Sequence, residues 1–182
     1  MSKQSILISI LVFILLIFSN AIVLANSITF PEGVTLEIPA NIEVSVNPLQ
    51  NGVMTYILRV YDKNIWRGAS ISSSKFPKAE RNFDNPEETK AILNEQVNKA
   101  KNIFINNNCT VLQEEQAKQV FSDGKMFYLT SAKIVYPHLG IVNNRDMYFF
   151  KTDCVNAIIV DAADVDAQYW RSIILKMITG AQ

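Results

Sequence analysis

Apolar and polar residues alternate along the first strand-like part of the chain. Val34, Leu36 and Ile38 are separated by Thr35 and Glu37, the period-two pattern of a strand with one buried face. Pro39, Ala40 and Asn41 interrupt it, and Ile42, Val44 and Val46 resume the same alternation. The spacing predicts a hairpin of these two segments. Asn47-Pro48 and Asn51-Gly52 mark the next turn. A third strand is predicted from Met54 to Tyr61, where Tyr56, Leu58 and Val60 share a face. A short fourth follows from Ala69 to Ser73.

The period then changes. Phe76 to Asp84 reads as a loop, after which Asn85 is placed as a helix N-cap, with Pro86 at the first helical position and Glu88 where a capping box takes an acid. Ile92, Leu93, Val97, Ala100, Ile103 and Phe104 recur at helical spacing and predict one apolar stripe, which the run Asn106 to Asn108 ends. Thr110 to Lys118 is a polar strand candidate. Asp123-Gly124 signals a hairpin into a strand from Lys125 to Ile134. Tyr136 to Asn144 reads as a loop. Asp146 to Lys151 and Cys154 to Asp161 form a second hairpin, and its nearly all-apolar run Val155 to Val160 belongs at the centre of a sheet. Asp164 or Asp166 caps a closing helix bearing Tyr169, Trp170, Ile173, Ile174, Met177 and Ile178.

Strands in runs, with helices set apart from them, predict an α+β fold: an antiparallel sheet packed by a long central helix and a C-terminal helix. Gly33 to Pro39 leading into Ile42 and Val44, the long helix from Pro86, the strand Phe127 to Ile134, and Met147 to Lys151 turning back into Asn156 to Val160 carry a resemblance. In this order of elements the chain resembles the PsbP/Mog-like fold group, which includes the DcrB-like exported bacterial proteins. The resemblance is one of topology and covers most of residues 28–178. It implies an α/β/α sandwich and, since members generally act by binding other proteins, an interaction role without catalysis.

Before the first strand, Lys3 is followed by an almost unbroken apolar run from Ile6 to Phe18 and by Val23, Leu24 and Ala25. This is the pattern of a signal peptide over residues 1–25, cleaved after Ala25 or, as the alternative, after Ala21. The expectation is an exported chain, periplasmic or secreted, with residues 26–182 forming one domain. A permanent anchor by an uncleaved segment is the alternative. It reaches the roughly 20 residues of a spanning helix only by including Ser9, Ser19 and Asn20.

Charge adds an exclusion. Residues 1–25 contain one lysine and no acid, so the remainder has one base fewer than the 17 basic against 17 acidic residues of the whole, a net charge of −1. Nucleic acid requires a basic face that this balance does not supply. Two cysteines, Cys109 and Cys154, are most simply a disulfide in an oxidising compartment, closing a loop of about 46 residues worth about 4 kcal/mol in the chain-entropy model. Two buried thiols are the alternative.

No residue pattern names a reaction or a cofactor. His138 is the sole imidazole of the chain and reads as a loop residue. Asp161, Asp164 and Asp166 lack the spacing, central glycine and terminal glutamate of a calcium loop and read as helix-capping residues. Ser70, Ser72, Ser73 and Ser74 lack the glycines of a nucleophile elbow. Asn108-Cys109-Thr110 fits the glycosylation sequon formally. For binding, Trp66 and Arg67, placed between two strands, are the candidate partner-binding anchors. The reading is a non-catalytic exported binding or accessory module, a subunit or assembly factor of a bacterial envelope complex with an unknown protein partner. An enzyme whose site forms only in three dimensions, near His138 or Asp161 to Asp166, is one alternative. A carrier of a small apolar ligand between sheet and helix is the other.

Overall fold

A computed structural model describes residues 27–48 and 53–180. The predicted signal segment and its cleavage site lie outside them. Among the described residues no helix is long and apolar enough to cross a membrane.

The fold is α+β. Seven antiparallel strands form one sheet in the order β3-β4-β5-β9-β8-β7-β6, with β3 (Glu43–Pro48), β4 (Met54–Asp62), β5 (Ile65–Lys75), β6 (Thr110–Ser122), β7 (Lys125–Tyr136), β8 (Ile141–Lys151) and β9 (Val155–Ala163). A separate two-stranded sheet pairs β1 (Ser27–Thr29) with β2 (Thr35–Glu37). The helices are α1 (Pro86–Asn106) and α2 (Ala167–Thr179).

Each face of the large sheet has its own core. On one face Leu58, Val60, Ile71, Phe127, Leu129, Tyr148, Ile158 and Val160 meet Trp170, Ile174, Met177 and Ile178 of α2, whose i, i+4, i+7, i+8 spacing makes one stripe. The β1-β2 ribbon lies on this same core through Ile28, Phe30 and Leu36. On the other face Tyr128, Met147, Phe149, Val155 and Ala157 pack against Leu93 and Val97 of α1 and Phe83 before it. Strand β9 is fourth of seven and covered on both faces, which accounts for its almost continuous apolar run.

The α1 cap is as the sequence predicts: the Asn85 side chain accepts from the Glu88 N–H at 3.5 Å, with Pro86 at the first turn. Ile103 departs from the predicted stripe and is exposed, whereas Phe104 beside it packs on Tyr136.

Two pairings differ from expectation. Val34 to Ile38 does not form a hairpin with Ile42 to Val46; β2 pairs with β1, and β3 pairs with β4. Alternation selects the buried face of a strand and leaves its partner open, and here β2 covers the sheet that β3 extends. Strand β5 begins at Ile65, four residues before the predicted Ala69, because Lys63 (φ 49°) and Asn64 (φ 65°) make a two-residue turn with both centres left-handed.

The disulfide is also corrected. Cys109 and Cys154 are free. Cys109 precedes Thr110, which pairs with Val135, itself opposite Val142 near the start of β8; Cys154 follows Lys151 at the other end of that strand. The extended chain between those ends spans about 30 Å, against the roughly 7 Å between Cα atoms that a disulfide tolerates. The Cys109 thiol is directed at the Asn107 carbonyl, 3.7 Å away, and the Cys154 thiol at the Asn156 side-chain oxygen at 3.6 Å.

The two sheet edges are unlike. Strand β6 shifts register twice against β7, between Val111 and Gln113 and between Glu115 and Lys118. Strand β3 pairs with β4 in continuous register.

Candidate functional site

The Lys63-Asn64 turn makes β4 and β5 a tight hairpin with Tyr61 opposite Trp66 and Asp62 opposite Ile65. Side chains alternate across a strand, so Trp66 and Arg67 are on opposite faces. Trp66 is on the same sheet face as α1, but at the β4-β5 end, which α1 leaves uncovered because it lies against β6 and β7 at the far end of the sheet. It is 59 % exposed, with Tyr61 at 56 % and Ile65 at 53 %. The Tyr61 and Trp66 rings pack with centroids 5.2 Å apart and planes tilted by 48°. Arg59 and Gly68, directly opposite each other, and Glu43, opposite Arg59, continue this face, and with Trp66 and Arg67 they line a depression of about 340 Å³. Neither Arg59 nor Glu43 has an ion-pair partner among the described residues.

Arg67 is not the exposed anchor expected. Its side chain retains 19 % exposure and points toward α2. Nη1 donates to Asp166 Oδ1, Nε lies 3.9 Å from Asp62 Oδ2, and the guanidinium stacks 4.9 Å from the Tyr169 ring centre. Arg67 therefore fixes the hairpin to the last helix, and Trp66 projects from a braced base.

The three aspartates suspected of a common role are separated by their partners. Asp161 takes a bidentate pair of bonds from Arg145, both at 2.7 Å; Asp164 holds Lys133 at 2.9 Å; Asp166 holds Arg67. Asp166 stands at the N-cap of α2, yet its side chain makes no capping bond, because its carboxylate is committed to Arg67. Burial works against the charge of Arg145 and the Asp161 hydrogen bonds more than offset it, so the guanidinium holds its proton more tightly than usual. No group of His, Cys, Asp and Glu side chains suited to a metal occurs among the described residues.

His138 sits exposed on the short turn between β7 and β8, its ring 6.3 Å from that of Tyr136. Ser70, Ser72 and Ser74 alternate on β5 with Ser73, whose face is buried. Between α1 and the sheet the space bounded by Val97, Phe104 and Met147 is about 10 Å³, scarcely a water's worth, which leaves no room there for a small apolar ligand.

A buried polar cluster that sequence reasoning missed lies on the α2 face. The Asp146 carboxylate accepts from Ser131 Oγ (2.6 Å), Asn144 Nδ2 (2.8 Å) and Arg171 Nη2 (2.7 Å) at Oδ1, and from Arg171 Nε (2.8 Å) and Tyr148 Oη (3.3 Å) at Oδ2. These hydrogen bonds hold the Arg171 proton more tightly than usual, and burial raises Tyr148 well above the ordinary tyrosine range. Above the cluster a polar cleft of about 230 Å³ opens between the start of α2 and strands β6 to β8, with Asp164 on its rim. Asp146 opens a run of β8 that is buried on both faces, so no alternation singles it out, and Arg171 stands 25 residues away on another element.

The solution structure of cyanobacterial PsbP (CyanoP) from Synechocystis sp. PCC 6803 is similar in fold to this chain. Identity is 11 %, the TM-score is 0.49, and the match covers 86 % of this chain and 90 % of that one. The likeness, which the order of elements anticipates, is one of fold alone. No family model matches the chain, and no curated protein matches it.

Proposed function

We propose that this protein is a non-catalytic, exported protein-binding module that meets its partner through the β4-β5 hairpin. One observation carries the reading: Trp66 and Tyr61 pack together in water on a hairpin that Arg67 braces from behind, with Ile65 also exposed next to the turn. Leaving these apolar side chains exposed wastes burial worth about 1.5–3 kcal/mol for each, and Trp and Tyr are the residues that most often dominate binding energy. Arg59 and Glu43 supply the polar rim such an anchor needs. The N-terminal pattern supports export, and with it a role as a subunit or assembly factor of an envelope complex.

The test is site-specific photocrosslinking in living cells. A benzophenone side chain replaces Tyr61, beside Trp66, in one tagged version of the full chain and Asn98, exposed on α1, in another. One dominant adduct from position 61, absent from position 98 and lost on adding Trp66→Ala, supports the reading. Equal labelling from both positions, or none from 61, overturns it.

A further inference from the structure

The polar cleft beside α2 is a second site, on the sheet face opposite the Trp66 hairpin surface. We propose that it binds a small zwitterion of the α-amino acid class, one carboxylate and one ammonium group on a compact polar molecule.

The cleft holds both charges. Arg171 and Lys133 are its cations and Glu115 and Asp164 its anions, with Lys133 paired to Asp164 and Glu115 also held by Lys118 at 2.9 Å. Register places them together: Glu115 is opposite Ser131 and Gln113 opposite Lys133 on β6 and β7, while Asp164 precedes α2 and Arg171 lies one turn into it. A simple anion would meet two carboxylates there, and a simple cation a guanidinium and an ammonium. A molecule carrying both charges answers each with its opposite.

Arg171 is prepared for a carboxylate. Its Nε and Nη2 are bound by Asp146 and Ser131, which fix the plane of the guanidinium, while Nη1 has no partner among the described residues. A guanidinium pinned along one edge and open along the other loses little freedom when it binds. Lys133 and Asp164 hold each other at 2.9 Å on the rim, each about one-third exposed. So exposed a pair exchanges its partners at small cost, and a zwitterion replaces both halves at once: its carboxylate takes Lys133 and its ammonium takes Asp164. The side-chain amides of Gln113 and Gln168, unpartnered among the described residues, face the same cleft and supply donors and acceptors for the rest of the ligand. The volume of about 230 Å³ suits a molecule of this size.

The experiment is a titration of the isotope-labelled full chain with the standard amino acids, one at a time to millimolar concentration, followed by amide NMR shifts. The expected result is saturable movement of the Gln113, Lys133 and Gln168 signals by one or a few of them. The N-acetyl and the C-amide derivatives of the best ligand, each lacking one charge, should bind about tenfold more weakly or worse. Lys133→Gln should weaken binding about tenfold with an unchanged melting temperature, and Gln168→Leu serves as a second variant if the first is unstable. No movement of these signals by any amino acid overturns the proposal, as does equal binding of the singly charged derivatives. Trp66→Ala must leave this titration unchanged.

Discussion

Arg67 and Asp166 form an ion pair across 99 residues of sequence, joining the β4-β5 hairpin to the N-cap of the last helix. Both side chains are largely buried, and the guanidinium also stacks on Tyr169. Removing one partner leaves the other as an unpaired charge. Arg67→Met should therefore destabilise the fold by about 2–3 kcal/mol, and Asp166→Asn by less. In urea unfolding, Arg67→Met combined with Asp166→Leu should cost less than the two single changes added together.

The two tryptophans should behave as opposites. Trp170 is 1 % exposed and Trp66 59 %. Trp66→Phe should leave a single blue-shifted emission that iodide barely quenches, and Trp170→Phe a red-shifted one that iodide quenches readily. Truncation to alanine should cost about 3–5 kcal/mol at position 170 and no more than about 0.5 kcal/mol at position 66. A large loss of stability from Trp66→Ala would show that the hairpin surface is structural.

The cysteines should titrate as two free thiols. The chain unfolded without reductant should react with two equivalents of a thiol reagent, and in the native state the half-buried Cys154 should react before the buried Cys109. Reductant should leave the melting temperature unchanged. A fall of several degrees on reduction would mean that the chain closes a disulfide.

Burial is the leading cause that raises Tyr56, Tyr128, Tyr136, Tyr148 and Tyr169 above their ordinary ionisation range. With the folded value above the unfolded one, the stabilisation is intact below about pH 10 and declines as pH rises past it, because the unfolded chain releases those protons first. Alkaline titration should show most tyrosinate absorbance at 295 nm arriving together with loss of the far-ultraviolet signal. Tyr148→Phe should make the decline shallower. Full tyrosine ionisation in a chain that keeps its circular dichroism would contradict this.

Much of the architecture is written locally. The Asn85-Pro86 start of α1, the Asp123-Gly124 turn and the doubly apolar β9 each depend on neighbouring residues, and each is found where the pattern puts it. What escapes is pairing at a distance. Val34 to Ile38 shows which of its faces is buried without showing that Ser27 to Thr29 is its partner. The polar and glycine residues around Trp66 read as a loop, because the left-handed turn at Lys63 and Asn64 carries no Asn-Gly signature. The candidate site divides in the same way. Exposure of Trp66 follows once β5 is known to begin at Ile65, whereas the roles of Arg67, Asp166, Asp146 and Arg171 depend on partners 25 to 99 residues away.

The unequal edges of the sheet set a limit on how it can grow. Strand β6 ends the sheet in a doubly shifted, charge-bearing margin that a new strand cannot follow in register, while β3 runs evenly beside β4. A sheet with one receptive margin accepts a single neighbour there, and two copies joined β3 to β3 would present bulged β6 on both outer sides. Concatenation into a fibre needs two such margins on every unit, so edge-to-edge association of this fold stops at a pair.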